Sequence, residues 1–379
     1  MNDTNILVVD AGSASLRLAV FDADHRELAG RHLHEAPGED ARELISSFLR
    51  EAPPVGATGH RVVHGGPRLS RHSAVDDDVR AALDDAARLA PLHVPSALAV
   101  LDAARGLLPD VPHVVCLDTV FHTGLPPAAR AYGVPREWTE RHGLRRYGFH
   151  GLSCAWALKR AAGLLGRPAD SLQLVLAHLG GGCSATAVRD GHSVDTTMGF
   201  TPLEGLVMSK RSGSVDPGML LWLQTSAGLS AERLSHVLHH ESGLLGLSGT
   251  SGDTRDLVRA AARGDGAAAF ALDVFALNVR RGVARVAASL DRVDALVFTG
   301  EIGEDQPEVR EAVCAGLGVL GLTGGLAPDN PARDAVVSAP DAKVPVLVIP
   351  TGEPQQVAVE TRAVLAGRRP RPHPAGGGT

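Results

Sequence analysis

The chain is poor in cysteine, in excess positive charge and in long apolar runs, and each shortage argues against a class of protein. Its four cysteines lie far apart without metal-ligand spacing, so buried thiols in a reducing cytoplasm are expected. The formal net charge of −6 favours neither nucleic acid nor a membrane surface as a partner. No apolar run approaches the length of a membrane span, and no basic segment precedes the first one, so no signal peptide is expected.

Two common nucleotide-binding motifs are also missing. A P-loop needs a Gly-Lys-Ser/Thr sequence, and none is present. The stretch GGGCSATA at residues 180–187 has the glycines of a dinucleotide-binding loop, but a predicted strand follows them where that motif requires a helix. The sequence therefore argues against both a P-loop NTPase and a Rossmann domain.

What the chain does contain is a strand–turn–strand pattern that occurs once in each half. Residues 5–22 and residues 172–191 each combine an apolar run, a turn of small residues and a second apolar run. Hairpins are common enough to look alike by chance, but the matching turns and flanks favour an internal duplication. The length of 379 residues suggests two domains, and strands mixed with helices in both halves predict an α/β fold.

Helical patterns fall between these strands. Acids at the start of residues 76–90 and helical spacing of the apolar residues predict a helix there, and Ser96 is the expected N-cap of the next helix. Residues 266–290 predict a long buried helix, and VPVLVIP at residues 344–350 a short buried strand. The chain from Gln355 onwards predicts a final helix, followed by a basic Pro/Gly-rich tail that is expected to be disordered.

Two turns and one acidic loop are candidate phosphate contacts. The first turn begins at Asp10 and the second at about Gly180, and the amide groups of such turns can converge on one phosphate oxygen. Either turn alone is more often an ordinary hairpin, but two together favour a polyphosphate site. The loop FTGEIGED at residues 298–305 has Gly300 and Gly303, yet it also carries three acids, which is unusual for a loop that contacts phosphate.

Four further stretches carry residues suited to catalysis. The histidines of GHRVVHGG would share a helix face and could bind metal, but the stretch reads as a strand, so Arg61 at its end is the better candidate. Alone, that arginine would more often form a surface ion pair. Asp118 ends the apolar run of VVCLDTVFH, and RRYGFHG places His150 among arginines and glycines. Residues 192–217 form a long Gly/Pro-punctuated segment full of hydroxyl groups, which is typical of functional loops.

These stretches carry a resemblance to a known family. The chain resembles the acetate/propionate kinase family of the actin-like ATPase superfamily from about residue 5 to residue 365. The most specific motifs are GHRVVHGG, RRYGFHG, and DTTMGFTPLEGL followed by Arg211; LDTVFH, SGLLGLSGTSGDTRD and VLVIPTGE add to them. Several long motifs in the family's order are stronger evidence than any one of them alone.

The resemblance implies a fold and a division into domains. The fold is α/β, with two duplicated actin-like ATPase (ribonuclease H-like) domains and a cleft between them. The expected first domain comprises residues 1–119 and the returning helix at 355–368, the second comprises residues 120–354, and residues 369–379 form the tail.

The resemblance also implies an activity. The family transfers the terminal phosphoryl group of ATP reversibly to acetate or another short carboxylate, forming acetyl phosphate and ADP, and its members are homodimers. Two alternatives stay open on the sequence. One is an acyl kinase with a different donor such as pyrophosphate, and the other is a non-catalytic relative with a decayed nucleotide site.

Four residues match the family's catalytic positions. Arg61 and Arg211 would hold the carboxylate and the phosphoryl group, whose charge spreads over three oxygens in the transition state. His150 would donate a hydrogen bond to the phosphoryl oxygens. A carboxylate substrate is already ionised at pH 7, so Asp118 is expected to orient Arg211 or the metal's water shell rather than to accept a proton.

The resemblance further assigns the binding residues. Mg²⁺, or alternatively Mn²⁺, would be held by Asp10 and Glu353. The residues that match the carboxylate pocket are Arg61, Val63, Leu92, His93, Phe149 and Pro202. The residues that match the nucleotide site are Arg17, His178, Leu179, Gly180, Gly181, Gly182, Asp253, Thr254, Arg255, Glu301, Ile302, Gly303, Glu304 and Asp305. A small apolar pocket discriminates by only about 1–3 kcal/mol per methylene, so propionate is also an expected substrate.

Several positions depart from the family's pattern. Asp10 and Gly181 stand where the family usually has Asn, Arg17 stands for Lys, and Glu301 and Asp305 stand for Gly and Asn. A glutamate at 301 could point into solvent without effect, accept hydrogen bonds from ribose hydroxyls, or narrow the adenosine site. Only the last outcome would favour pyrophosphate as the donor.

Overall fold

The computed structural model describes residues 4–12, 15–33, 41–91 and 94–367. Leu92, His93 and the predicted tail lie outside the described residues, as do a few other short stretches.

The chain forms two compact units. The first comprises Met1–Thr123, Phe149–Trp156 and Gly352–Thr379, and the second comprises Gly124–Gly148 and Ala157–Thr351. These bounds differ from the predicted domains mainly at residues 149–156, because Leu152 packs into the core of the first unit with Val114 and Val357.

Six strands form the sheet of the first unit. They are β1 Ile6–Ala11, β2 Leu16–Phe21, β3 Glu27–Leu33, β4 Ala57–Val62, β5 Ser73–Ala74 and β6 His113–Leu117. Their order is β3-β2-β1-β4-β6-β5, in which β1, β4 and β6 are parallel and the other neighbours are antiparallel. The central strands are apolar and buried because helices cover both faces of the sheet.

Helices of the first unit pack on this sheet. They are α1 Ala41–Glu51, α2 Asp77–Ala87 and α3 Val94–Leu107, with α14 Glu353–Leu365 returning at the end of the chain. One core contains Leu7, Val62 and Leu101, and a second core on the opposite face contains Ile6, Val114 and Val357 from α14.

The second unit repeats this arrangement. Its strands are β7 Gln173–Leu179, β8 Cys183–Arg189, β9 His192–Thr196, β10 Ala295–Thr299, β11 Ala335–Val336 and β12 Val346–Val348. The order β9-β8-β7-β10-β12-β11, with β7, β10 and β12 parallel, has the same directions as the first sheet. The two predicted hairpins therefore occupy equivalent places, and the predicted duplication is confirmed.

The remaining helices complete the chain. They are α4 Pro127–Arg130, α5 Arg136–His142, α6 Gly151–Leu165, α7 Pro217–Thr225, α8 Ala231–His236, α9 Gly243–Ser248, α10 Thr254–Ala262, α11 Gly266–Ala287, α12 Glu301–Asp305 and α13 Pro307–Ala315. Helix α11 is the predicted long helix, and it begins where Asp265 caps the amides of Ala267 and Ala268. None of the helices in the described part of the chain is both long and apolar enough to span a membrane.

One predicted helix start was wrong. Helix α3 begins at Val94, two residues before Ser96, and the Val94 amide already donates to the carbonyl of Ala90 at 3.0 Å. Val94 is fully buried, and Pro95 is tolerated in the first turn because its missing N–H would have no helical partner there. Burial therefore outweighed the capping preference of Ser96.

Candidate active site

Four charged side chains meet at one edge of the first sheet. Arg61 donates from Nη2 to Asp118 Oδ2 at 2.7 Å and from Nε to Asp118 Oδ1 at 3.3 Å. Its Nη1 donates to Asp10 Oδ1 at 3.1 Å, and Glu353 Oε1 lies 4.0 Å from Nη2. One guanidinium therefore contacts three carboxylates.

The order of the strands brings these residues together. Asp10 and Arg61 are register partners on the parallel strands β1 and β4, and Asp118 directly follows β6. Glu353 is the first residue of α14, which packs against the same three strands. Parallel strands end at a common edge, which is where ligands bind in open α/β sheets.

The cluster carries more negative than positive charge. Burial works to lower the pKa of Arg61, but the three carboxylates outweigh it and hold that pKa above its usual value. Burial raises the pKa of Asp118 despite its bond to Arg61. Burial also raises the pKa of Glu353 to about 7, and Asp118 and Asp10 add to this effect. A further cation at this edge would relieve the excess of negative charge.

Glu353 and Asp10 have the properties of partial ligands for a hard cation. Glu353 Oε1 is buried and has no hydrogen-bond partner among the described residues. Within the described ranges, no group of three or more His, Cys, Asp or Glu side chains could hold a metal ion by itself. That combination suits Mg²⁺, which usually takes one or two protein carboxylates and completes its shell with water and substrate phosphates.

His150 is placed beside Asp118 by a close backbone contact. The Gly151 amide donates to the Asp118 carbonyl at 3.0 Å, and a Cβ on Gly151 would lie 2.1 Å from that oxygen. His150 itself has a φ of 57°, which is uncommon for a residue with a side chain and occurs preferentially at functional sites. The predicted catalytic residues Arg61, Asp118 and His150 therefore belong to one unit.

Two of the predicted pocket residues lie near this cluster in the first unit. Phe149 is buried, and its carbonyl accepts a hydrogen bond from His122 Nε2 at 2.9 Å. The rings of Phe149 and His64 form a T-shaped pair with centroids 5.3 Å apart. Val63 follows β4 and is half-buried. Pro202 is buried in the second unit, so the predicted pocket residues are divided between the two units.

Arg211 differs from Arg61 in having no carboxylate partner. Its Nη1 donates to the carbonyl of Pro202 at 2.9 Å, and none of the described carboxylates forms an ion pair with it. Burial lowers the pKa of Arg211, and the nearby thiol of Cys183 opposes this. Both oxygens of Asp118 bind Arg61, and the expected role of Asp118 in orienting Arg211 or the metal's water shell stays a prediction.

The second glycine turn is open at its tip and precedes a residue that senses the charge of Arg211. Cys183 directly follows Gly182, and the positive charge of Arg211 lowers the pKa of its thiol, against the effect of burial. The Gly180 amide is used within the turn, donating to the Gly182 carbonyl at 3.0 Å. Gly181 has nothing within 4 Å of the position of a Cβ, so the turn is open at its tip. The preceding His178 and Leu179 are buried in β7.

The acidic part of the stretch at residues 298–305 is the short helix α12, Glu301–Asp305, rather than the expected loop, and Phe298 and Thr299 end β10. Gly300 has a φ of 82°, and a Cβ there would lie 2.5 Å from the Leu179 carbonyl, so glycine is required. Glu304 Oε1 accepts hydrogen bonds from Gly300 N at 2.9 Å, Thr351 N at 2.8 Å and Thr351 Oγ1 at 2.9 Å. Glu304 therefore holds the turn together, while Ile302 is buried.

The two unusual acids of this stretch lie beside a cation. Glu301 is exposed, and it is not among the described residues with positive φ, so glutamate carries no backbone penalty there. Hydrogen bonds from Arg255 to Asp253 raise the pKa of Arg255, and Glu301 and Asp305 add to the shift. The positive charge of Arg255 thus offsets the negative charge of Glu301, and the side chain of Glu301 faces solvent.

The other predicted nucleotide residues lie on three elements. Asp253 caps α10 by accepting from the Arg255 amide at 2.8 Å, and Thr254 is buried behind it. Gly303 is buried in α12. Arg17 faces Asp10 across β1 and β2, and it pairs with Glu27 at 3.2 Å while its side chain is 39% exposed.

Reasoning from the sequence missed several buried polar residues. Arg146, Glu204 and Tyr132 form a network in the second unit, and Arg310 is fully buried against backbone carbonyls. Arg146 and Glu204 stand inside the motifs RRYGFHG and PLEGL. A charged residue among glycines and apolar residues was the sequence feature that could have indicated a buried, hydrogen-bonded side chain.

Solved structures similar to this chain include an acetate kinase and a propionate kinase. The acetate kinase of Porphyromonas gingivalis is 32% identical with a TM-score of 0.86, covering 96% of this chain and 100% of that one. The propionate kinase of Francisella tularensis is 32% identical with a TM-score of 0.86, covering 95% and 100%. The two matching mixed sheets are those of the duplicated actin-like ATPase fold, and the predicted fold class is confirmed.

Sequence relatives narrow the class to one family. The model of the acetokinase family matches residues 40–359. An acetate kinase of Leifsonia xyli is 43% identical, covering 96% of this chain and 99% of the relative. An acetate kinase of Desulfitobacterium hafniense is 39% identical, covering 95% and 99%. The chain belongs to the acetokinase family, as its resemblance predicted.

Proposed function

We propose that this chain catalyses the reversible transfer of the terminal phosphoryl group of ATP to acetate, forming acetyl phosphate and ADP. Its family consists of kinases that phosphorylate a carboxylate, and full-length relatives carry the name acetate kinase. The observation that best supports the proposal is the guanidinium of Arg211. It is partly buried, has no described carboxylate partner, and its charge acts on Cys183, the residue that follows the open glycine turn, so this charge is available to an anion.

Positive charge is the main requirement of this reaction. Negative charge spreads over the oxygens of the phosphoryl group in the transition state, and preorganised cations stabilise it without reorganisation. Arg211 supplies such a charge. Arg61 supplies a second such charge, and its bidentate pair with Asp118 fixes the orientation of the guanidinium. We therefore assign Asp118 to orienting Arg61, and His150 to donating a hydrogen bond to a phosphoryl oxygen.

Asp10 and Glu353 would hold a divalent ion, Mg²⁺ or Mn²⁺. Bound there, the ion would neutralise negative charge on the donor phosphates. The buried oxygen of Glu353 that lacks a hydrogen-bond partner among the described residues, and the net negative charge of the cluster, support this assignment. An Asp at position 10 offers two carboxylate oxygens that share a negative charge, whereas the Asn that is usual in the family offers one neutral amide oxygen.

Apolar residues are assigned to the acyl group. Val63, Phe149 and Pro202 keep the apolar character that a methyl or ethyl group requires, and Leu92 and His93 lie outside the described residues. One methylene is worth only about 1–3 kcal/mol in such a pocket. We therefore propose that propionate is a second, weaker substrate.

The nucleotide is assigned to the second unit. Residues 180–182, 253–255 and 301–305 of this unit are proposed to bind ATP, and Arg17 is proposed as a further nucleotide-binding residue. The exposed Glu301 beside Arg255 gives no support to a blocked adenosine site. Neither pyrophosphate as donor nor a decayed site gains an argument from this geometry.

A homodimer is also proposed. Helix α7 has no buried residue, and Leu221 and Trp222 on it are 61% and 59% exposed. Large exposed apolar side chains on one short helix are typical of an interface. Changing Trp222→Asp should shift the mass in solution from dimer to monomer, as measured by light scattering. A native monomer would contradict the proposal.

Cytoplasmic location stays a prediction from the sequence.

One assay tests the function. Acetate, ATP and Mg²⁺ with hydroxylamine should yield acyl hydroxamate, and omission of any one of them should abolish it. Arg61→Ala and Arg211→Ala should each lower kcat by about 10²–10³-fold, since one preorganised charge stabiliser is typically worth that much. Arg136→Ala, which removes an exposed arginine paired with Glu140, serves as the matched control. Near-normal turnover in the Arg211 variant, or no hydroxamate from the native chain, would contradict the proposal.

A further inference from the structure

Arg211 depends on one carbonyl for its position. Its Nη1 donates to Pro202 O at 2.9 Å, and Pro202 belongs to the irregular segment at residues 197–205. Backbone hydrogen bonds hold this segment at Thr197, Gly199 and Gly205. Side-chain contacts add to them on both sides of Pro202. Tyr132, Arg146 and Glu204 make those contacts.

Arg146 ties the two ends of the segment together. Its Nη1 donates to Thr197 O and Met198 O at 3.0 Å each, and its Nη2 donates to Glu204 Oε1 at 2.7 Å. The side chain of Arg146 is only 6% exposed, so these bonds form where water competes little. Its charge is compensated by Glu204.

Tyr132 joins the end of the segment to its middle. Its hydroxyl donates to Glu204 Oε2 and accepts from the Phe200 amide at 2.7 Å. Burial raises the pKa of the Tyr132 phenol, which keeps it protonated as a donor. A Cβ at Gly199 would lie 2.1 Å from this hydroxyl, so the close approach of the backbone to Tyr132 requires glycine at this position. Both carboxylate oxygens of Glu204 are therefore occupied.

We infer that Tyr132, Arg146 and Glu204 are positioning residues for Arg211, acting through the carbonyl of Pro202. The inference rests on the proposed function, because it assigns a role to residues behind a proposed catalytic group. The network compensates the charge of Arg146 internally. The guanidinium of Arg211, in contrast, binds a neutral carbonyl and no carboxylate of the described residues, so its charge stays available to the phosphoryl group.

The test compares two tyrosine variants of the full chain. Tyr132→Phe removes both bonds of the hydroxyl, and Tyr147→Phe removes a tyrosine hydroxyl of the same unit that donates to Gly143 O at 3.4 Å. Misplacement of a catalytic group by about 1 Å can lower the rate about 10²-fold. We expect Tyr132→Phe to lower kcat about 10- to 100-fold with KM for ATP changed less than threefold. Tyr147→Phe should stay within about twofold of the native kcat.

A double variant separates positioning from a general loss of structure. Residues that act as one unit are non-additive, so Tyr132→Phe should cost little once Arg211 is already changed. We expect the kcat of Arg211→Lys with Tyr132→Phe to lie within about threefold of Arg211→Lys alone. Thermal unfolding of every variant is measured in parallel, and the midpoints should stay above the assay temperature.

Two results would overturn the inference. The first is a Tyr132→Phe variant within about twofold of the native kcat, and the second is a loss that multiplies fully in the Arg211→Lys background. A native chain without any acyl kinase activity would instead overturn the proposed function, so the two failures are distinguishable.

Discussion

The amide of Gly151 donates to the carbonyl of Asp118 at 3.0 Å, and no side chain fits between them, since a Cβ on Gly151 would lie 2.1 Å from that oxygen. This contact places His150, at the start of α6, beside the residue that holds Arg61. Two proposed catalytic groups thus depend on one glycine.

Gly151→Ala should therefore separate His150 from Asp118. We expect a fall in kcat of about 10²-fold, because the methyl group must push the backbone of α6 away from the end of β6. The matched control is Gly163→Ala in the same helix, where a Cβ would meet nothing within 4 Å. That variant should be active and more stable by up to about 1 kcal/mol, because alanine is the better helix former. Equal kcat values for the two variants would refute the role of the contact.

Two glutamates in α12 should respond differently to substitution. Glu304→Ala removes the acceptor of three hydrogen bonds and should raise KM for ATP about tenfold, with a loss of about 1–3 kcal/mol of stability from the unpaired donors. Glu301→Gly removes only an exposed side chain, and its KM for ATP should stay within about threefold of native. Steady-state kinetics and urea unfolding measure both effects. A tenfold improvement of KM in Glu301→Gly would show instead that the glutamate obstructs the nucleotide.

Substitution of Arg310 should raise KM for ATP and leave KM for acetate unchanged. It is fully buried and donates to Gly303 O at 3.0 Å, Glu304 O at 2.7 Å and Asp329 O at 2.9 Å, so it anchors the end of α12. Arg310→Met keeps the apolar stem but leaves three carbonyls without a donor. We expect KM for ATP to rise at least about tenfold with KM for acetate unchanged, and stability to fall by about 3 kcal/mol. An equal rise in both KM values would argue for general loosening of the unit.

Acid should weaken the fold through buried histidines. Burial lowers the pKa of His122 from 6.5 to about 4. Between these two pH values the unfolded chain binds a proton on this side chain and the folded chain does not. The stability is fully present above pH 6.5 and is lost as the pH falls towards 4. His60, His72 and His113 have pKa values that burial shifts in the same direction.

Urea unfolding at pH 7 and pH 5 measures this loss. His122 alone should contribute about 2 kcal/mol between these two pH values. His122→Gln keeps a donor for the carbonyl of Phe149 but does not titrate, so its stability should fall by that much less. The same drop in the variant and in the native chain would show that His122 is not responsible.

Local patterns in the sequence determined most of the secondary structure. The two hairpins, the long helix α11 and the returning helix α14 follow from apolar spacing and from caps such as Asp265, which act over a few residues. The same patterns placed Arg61 at the end of β4 and Asp118 at the end of β6, so the candidate catalytic residues were found before their contacts.

The tertiary structure alone decided which of these residues meet. Arg61 and Asp118 are 57 positions apart, and they pair because β4 and β6 are parallel neighbours, which no local pattern specifies. The helical form of residues 301–305 and the start of α3 at Val94 also depend on burial against distant elements. Hydrogen bonds such as those of Glu204 join residues from separate motifs, so their partners follow from packing rather than from periodicity.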